Sequence, residues 1–190
     1  MRSPRYRRRR GFTLVEVVAT VAITALLAAI TIPTVRGQLQ TGEASALVSE
    51  LENLQTAIST YKNDVGRYPN SIVYLSQLPV LASTVDGCGN ALPQFQYNSY
   101  RGPYINRTIP AGTTQYVLYS GDTVLTTYQA LSALNNTISI NIKGVDSTVA
   151  TLVDQAIDGT VNNGSGMVTW VNHGQSTELT YNIPTRTGSC

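Results

Sequence analysis

Phe12 to Val35 reads FTLVEVVATVAITALLAAITIPTV, 24 residues that carry a single charge, Glu16. At ~1.5 Å rise per residue, a helix of this length spans the ~30 Å hydrocarbon core of a bilayer. Four consecutive arginines, Arg7 to Arg10, stand directly before it. Basic residues stay on the cytoplasmic side, so everything after Val35 is expected to cross the membrane. The run is longer than the apolar part of a secretory signal, and no small-x-small cleavage site follows it. A buried helix of a soluble protein would show one apolar face, whereas this run reads as apolar all round with a basic flank on one side only. Pro33 withholds a backbone donor near the end of the run and is expected to kink the helix.

The charge balance depends on the same region. The chain has 190 residues with 13 basic and 11 acidic side chains, a formal net charge of +2. Six of the basic residues (Arg2, Arg5, Arg7, Arg8, Arg9 and Arg10) precede Gly11. Without residues 1–11 there are seven basic against eleven acidic side chains, a net of −4. The positive sign therefore belongs to a short N-terminal arm, and nucleic acid is not indicated as a partner. The length suits one domain of ordinary size with an appended element.

Past Val35 the pattern becomes amphipathic. Leu47, Val48, Leu51, Leu54, Ile58 and Tyr61 recur at steps of three and four, with Glu43, Glu50, Glu52 and Lys62 between them. One helix is expected from about Phe12 to about Asn63, its second half packed on a globular domain. Pro33, Gly37 and Gly42 mark residues 33–42 as a flexible stretch, and Gly66 is placed to end the helix. The C-terminal half reads as strand. Gln115–Ser120 and Thr123–Tyr128 suggest a hairpin turned by Gly121-Asp122, Thr137–Ile142 alternates at period two, and Met167–Val171 with Glu178–Ile183 suggest a closing hairpin. Asp146 is positioned to cap a short helix with Val149, Leu152, Val153, Ala156 and Ile157 on one face. The expected fold is α+β: a long N-terminal helix, membrane-spanning in its first half, packed on an antiparallel β-sheet.

The stretch Arg10-Gly11-Phe12-Thr13-Leu14-Val15-Glu16, followed by an apolar run with Pro33 near its end, resembles the class III signal of type IV pilins and type II secretion pseudopilins. The resemblance covers about 25 residues. It implies a pilin-like fold, cleavage by a prepilin peptidase between Gly11 and Phe12, and N-methylation of the new Phe12 amine. It also implies an assembly role for Glu16, whose counterpart in the family pairs with the N-terminal amine of a neighbouring subunit. Simple physics agrees: a carboxylate and an ammonium in a low-dielectric setting are each expensive alone and neutralise one another when paired.

Two further segments carry a weaker resemblance. Asp64-Val-Gly-Arg-Tyr-Pro69 is similar to the step after the long helix in major pseudopilins, and Gly102-Pro103-Tyr104-Ile105 to their Gly-Pro-Tyr stretch. Plain turn chemistry accounts for both equally well. The implied organisation is a leader at 1–11, a transmembrane or filament-core helix at 12–35, an amphipathic helix at 36–64 and an extracytoplasmic pilin-like domain at 65–190. The implied function is that of a structural subunit of a type IV pilus-like filament, not an enzyme. A pseudopilin driving protein export in type II secretion is the alternative, and a membrane-tethered extracytoplasmic binding module the remote one. The partners expected are other copies of the chain in a helical filament, the prepilin peptidase, an inner-membrane assembly platform, and the membrane before assembly. The expected location is the bacterial inner membrane with the N-terminus cytoplasmic, then an extracytoplasmic or cell-surface filament.

Cys88 and Cys190 are the two cysteines. Outside the cytoplasm an even pair favours a disulfide, and this one would close a loop of ~100 residues; two free thiols are the alternative. Asp154 and Asp158, with Asn162 and Asn163, could offer oxygen ligands to Ca2+, as major pseudopilins often hold calcium, but the spacing fits no EF-hand and a turn-rich connection is the simpler reading. No other cofactor is expected. His173 is the sole histidine, which argues against a zinc site or a catalytic triad. The glycosylation-like triplets at Asn106, Asn135 and Asn163 are three-residue matches of low information.

Overall fold

A computed structural model of the chain describes residues 11–78, 84–118, 121–125, 137–174 and 176–185. They fall into two compact units that divide between Leu39 and Gln40.

The first unit is the apolar half of α1, a helix that runs Leu14–Val65. None of its apolar window is buried, and among the described residues it is the one helix long and apolar enough to cross a membrane. The helix continues through Pro33, Gly37 and Gly42 as one element, as expected for a single helix from about Phe12 to about Asn63. Two glycines cost only ~1 kcal/mol each against the cooperativity of a helix this long. The boundary between the units nevertheless falls at Leu39/Gln40, inside that stretch.

The second unit builds its core on the other half of α1. Ala44, Leu47, Leu51, Leu54, Ala57, Ile58, Tyr61 and Val65 are buried at steps of three and four, while Val48 is half-buried. Gly66, at φ 84°, ends the helix by donating its N–H to the Lys62 carbonyl at 2.8 Å. Two single-turn helices follow, α2 (Val73–Ser76) and α3 (Gln94–Tyr97).

Five strands then form one antiparallel sheet: β1 (Gln115–Val117), β2 (Thr123–Leu125), β3 (Thr137–Val145), β4 (Val168–His173) and β5 (Ser176–Pro184), in the order β1-β2-β3-β5-β4. Ile138, Ile140 and Ile142 of β3 and Thr177, Leu179, Tyr181 and Ile183 of β5 alternate inward. The Tyr181 hydroxyl reaches Gln55 on α1, tying sheet to helix. The opposite face is held by uncharged cross-strand bonds, Ser139 to Asn182 at 2.7 Å and Thr180 to Asn141 at 3.1 Å.

The first hairpin differs from the two-residue turn expected at Gly121-Asp122. Val117 pairs with Thr123, leaving five residues between the strands. Strand β1 ends at Val117 rather than Ser120; Leu118 beyond it is buried, and its N–H donates to the Asp122 carbonyl at 2.8 Å. Residues 119–120 and 126–136 lie outside the described residues. A bulge at Gly144, φ 95°, extends β3 to Val145. The closing helix α4 (Ser147–Asp158) is capped as its sequence suggests: Asp146 accepts the Thr148 N–H at 2.8 Å.

Candidate functional site

The N-terminal signal folds into a defined helix start. Thr13 stands before the first helical residue, and its hydroxyl accepts the Glu16 N–H at 3.3 Å while its carbonyl accepts the Val17 N–H at 3.2 Å. Thr13-Leu-Val-Glu16 thus has the order of a capping box, with Glu16 in the first turn, where the helix dipole favours a carboxylate. Gly11 and Phe12 lie outside the helix, and Phe12 is 84% exposed. A Cβ placed on Gly11 would meet nothing within 4 Å, and the backbone at Gly11 and Phe12 is non-helical. Glu16 is exposed as well. Further along, Pro33 withholds the N–H that would otherwise bond the Ala29 carbonyl.

In the second unit, both turn motifs converge on the C-terminal end of α1. Tyr61, Tyr100 and Tyr104 pack edge to face, with ring centroids 5.3 to 6.2 Å apart. The Tyr104 hydroxyl donates to Asp64 at 3.1 Å and accepts the Arg101 N–H at 3.0 Å. The Tyr104 and Ile105 N–H groups both donate to the Leu75 carbonyl. The Gly102–Pro103 bond is cis, and a side chain on Gly102 would overlap the Tyr100 ring. Burial pushes the Tyr100 phenol up to about 12 and holds that of Tyr61 higher still, so both are neutral, packed rings.

The Arg67-Tyr68-Pro69 step anchors the Cys88 loop. Asp86, 2% exposed, accepts Arg67 at 2.6 Å on one oxygen and the N–H groups of Cys88 and Asn90 at 3.0 and 2.8 Å on the other. Gly87 donates to the Tyr68 carbonyl at 2.8 Å. Cys88 is not a free thiol. Cys190 lies outside the described residues.

Asp154 and Asp158 serve the connection after α4. Asp154 accepts the Asn162 N–H at 2.8 Å and the Trp170 indole N–H at 3.4 Å. Asp158 accepts the N–H groups of Met167 and Val168 at 3.1 and 2.9 Å. The pair docks that connection onto β4, and Gly166 is bare where the Asp158 carboxylate passes. Among the described residues no group of three His, Cys, Asp or Glu side chains converges for a metal ion. His173 faces Glu178 at 3.9 Å on the exposed β4–β5 hairpin, away from any such cluster.

Pattern reading missed the cap at Thr13, the Asp86 hub and a cluster around Glu43. The cap was legible, since Thr-x-x-Glu before an apolar run is a known helix-start signature. Glu43 was not. Burial, then the neighbouring charges of Asp122 and Asp146, raise its carboxyl above the usual range, and those residues are distant in sequence.

Residues 6–32 match the family described as the prokaryotic N-terminal methylation motif. Type II secretion system core protein G of Klebsiella pneumoniae is 36% identical over 64 residues, 34% of this chain and 46% of that protein. The Escherichia coli K12 protein of the same name is 32% identical over 82 residues, 40% of this chain and 57% of that one. The type IV major fimbrial protein FimA of Dichelobacter nodosus is 41% identical over 51 residues, 27% of this chain and 33% of its own. The chain thus spans about half the length of the curated relatives it matches, or less. No solved structure matches it.

Proposed function

We propose that this chain, which carries the methylation-motif signal of type IV pilins and type II secretion pseudopilins, is a structural subunit of a pilus-like filament. One observation carries the reading: a non-helical Gly11–Phe12 bond, a capped helix start with Glu16 in its first turn, and an unburied apolar helix stand in immediate succession. Prepilin peptidase cuts after Gly11 on the cytoplasmic side of the inner membrane, and the Phe12 amine is N-methylated. An assembly platform then draws the subunit out of the bilayer into a helical polymer, where apolar helices bury one another and the non-closing contact propagates. The role is structural rather than catalytic.

Mass spectrometry of the mature N-terminus tests this directly. N-methylated Phe12 is the expected result. An intact Met1 terminus in cells that process other prepilins sinks the reading in favour of a simple tether.

The pseudopilin form of the same reading is supported by the Gly102-Pro103-Tyr104 loop packed onto Tyr61, together with the likeness to core protein G. Deleting the chain separates the two: loss of exported proteins with no change in surface fibres marks a pseudopilin, and loss of fibres marks a pilin. In either form we assign the partner of Cys88 as Cys190, which pins the C-terminus to the Asp86 loop. Peptide mapping without reductant reads that pairing.

A further inference from the structure

Residues 159–166 join α4 to β4 and are exposed throughout. They hold Asn163-Gly164, the one asparagine–glycine pair in the chain. An asparagine followed by glycine is chemically labile in water. The next backbone nitrogen lies one ring closure away from the side-chain amide carbon, and glycine has no side chain to obstruct the approach. Among the described residues, and beyond its chain neighbours, a Cβ built on Gly164 would meet only Asn162 Oδ1, at 3.9 Å. The same Asn162 oxygen accepts the Gly164 N–H at 3.2 Å and is the one restraint on the attacking nitrogen that the structure shows.

The segment also covers a sheet edge. Among the described strands β4 comes last in the order β1-β2-β3-β5-β4, so its outer side faces no further strand. On that side the Trp170 N–H donates to the Asn163 carbonyl at 3.0 Å, and the Val168 N–H to Asp158 at 2.9 Å. Asp154, fully buried, holds the segment from below by accepting the Asn162 N–H at 2.8 Å. An edge strand with bare donors and acceptors is a template for pairing with other chains, and a covering loop is one of the devices that prevent it. The labile residue is therefore also the one whose carbonyl covers the edge at Trp170.

We propose that Asn163 is a site of spontaneous hydrolytic modification, and that its conversion to isoaspartate uncovers the outer edge of β4. The Gly164 nitrogen gives its proton to solvent base and bonds to Asn163 Cγ. The C–N bond of the side-chain amide then breaks, and ammonia leaves. Water opens the resulting succinimide: hydrolysis at Cγ yields aspartate, and hydrolysis at the main-chain carbonyl yields isoaspartate. Water is the only co-reactant consumed. In isoaspartate the main chain runs through Cβ and Cγ and is longer by one methylene. The carbonyl that held Trp170 leaves the main chain and becomes a free carboxylate beside Asp154 and Asp158. Like charge disfavours that position, so the new carboxylate turns to solvent and the Trp170 donor is released. None of this depends on the filament-subunit reading.

The full chain in detergent, incubated at mildly alkaline pH and mapped by fragmentation mass spectrometry, tests the site. Isoaspartate is expected to accumulate at Asn163 several-fold faster than at any other asparagine. Gly164→Ala, which the space beside Gly164 accommodates, should slow the reaction several-fold, and Asn162→Ala, which frees the Gly164 nitrogen, should quicken it. Hydrogen exchange of the aged protein, read residue by residue, should be several-fold faster at the Trp170 amide and unchanged at Val168. Asn163→Asp adds the charge without lengthening the main chain and should change Trp170 less. An unmodified Asn163 in the folded chain, under conditions where the denaturant-unfolded chain reacts, overturns the site. Modification at Asn163 with Trp170 exchange unchanged overturns the uncovering, and so does equal loss of protection at Trp170 and Val168, which marks unfolding of the strand instead.

Discussion

Glu16 is the residue whose substitution is most diagnostic. It stands exposed in the first turn of α1, in an apolar run that carries no other charge. Glu16→Ala removes a group that is costly to bury unpaired, so insertion should be unimpaired or improved while assembly fails. Membrane fractionation together with filament yield checks both halves. Wild-type yield from this variant contradicts the assembly role. Glu43 makes a different case at the same scale. Its folded carboxyl is raised above 4.5, chiefly by burial and then by Asp122 and Asp146. The folded state therefore holds that proton more tightly than the unfolded state does. The associated stability is complete below about pH 4.5 and is lost as pH rises through the folded value. Glu43→Gln should leave stability near pH 4 unchanged and raise Tm at pH 7, as read by thermal melts at the two pH values.

At the scale of elements, what was legible followed from period and punctuation. Leu47, Leu51, Leu54, Ile58 and Tyr61 were readable as one buried face because helical spacing needs no knowledge of the partner. Asp146 was readable as a cap because an N-cap bond spans only a few residues. Asp146→Ala should cost about 1 kcal/mol in chemical denaturation and lower the Tm of the full chain. The first hairpin differs from the expected one because its connection is closed by backbone bonds, Leu118 N–H to the Asp122 carbonyl and Gly121 N–H to the Leu118 carbonyl, which residue alternation does not encode. The Asp86 hub and the tyrosine cluster were hidden for a similar reason. Arg67 lies 19 residues from Asp86, and Tyr104 lies 40 from Asp64. The turn motifs marked where these segments bend, not what they bend around.

For the whole molecule, the functional signal is concentrated in a part that contributes nothing to the globular core. The methylation motif ends at residue 32, and the buried cluster begins at Ala44. The methylation motif was thus readable from contiguous residues, while the head required folding to be described. The proposed Cys88–Cys190 bridge would close most of that head. In the chain-entropy model a loop of about 100 residues is worth up to ~4.7 kcal/mol, so reduction should lower Tm by many degrees without abolishing the sheet. Melts with and without reductant, followed by circular dichroism, check this. An unchanged Tm argues that the bridge does not form.

The capped start of α1 has a consequence for handling the helix in lipid. Thr20, Thr24, Thr31 and Thr34 each donate their hydroxyl to a carbonyl three or four residues earlier in the same helix, so none of these four donors is stranded by hydrocarbon. The row of hydroxyls therefore adds little to the cost of holding the helix in a bilayer. Glu16 occurs only once in the run, and it is the one group whose solvation differs sharply between lipid and water. In the proposed subunit, that single carboxylate rather than the threonines would set how readily the helix leaves the bilayer.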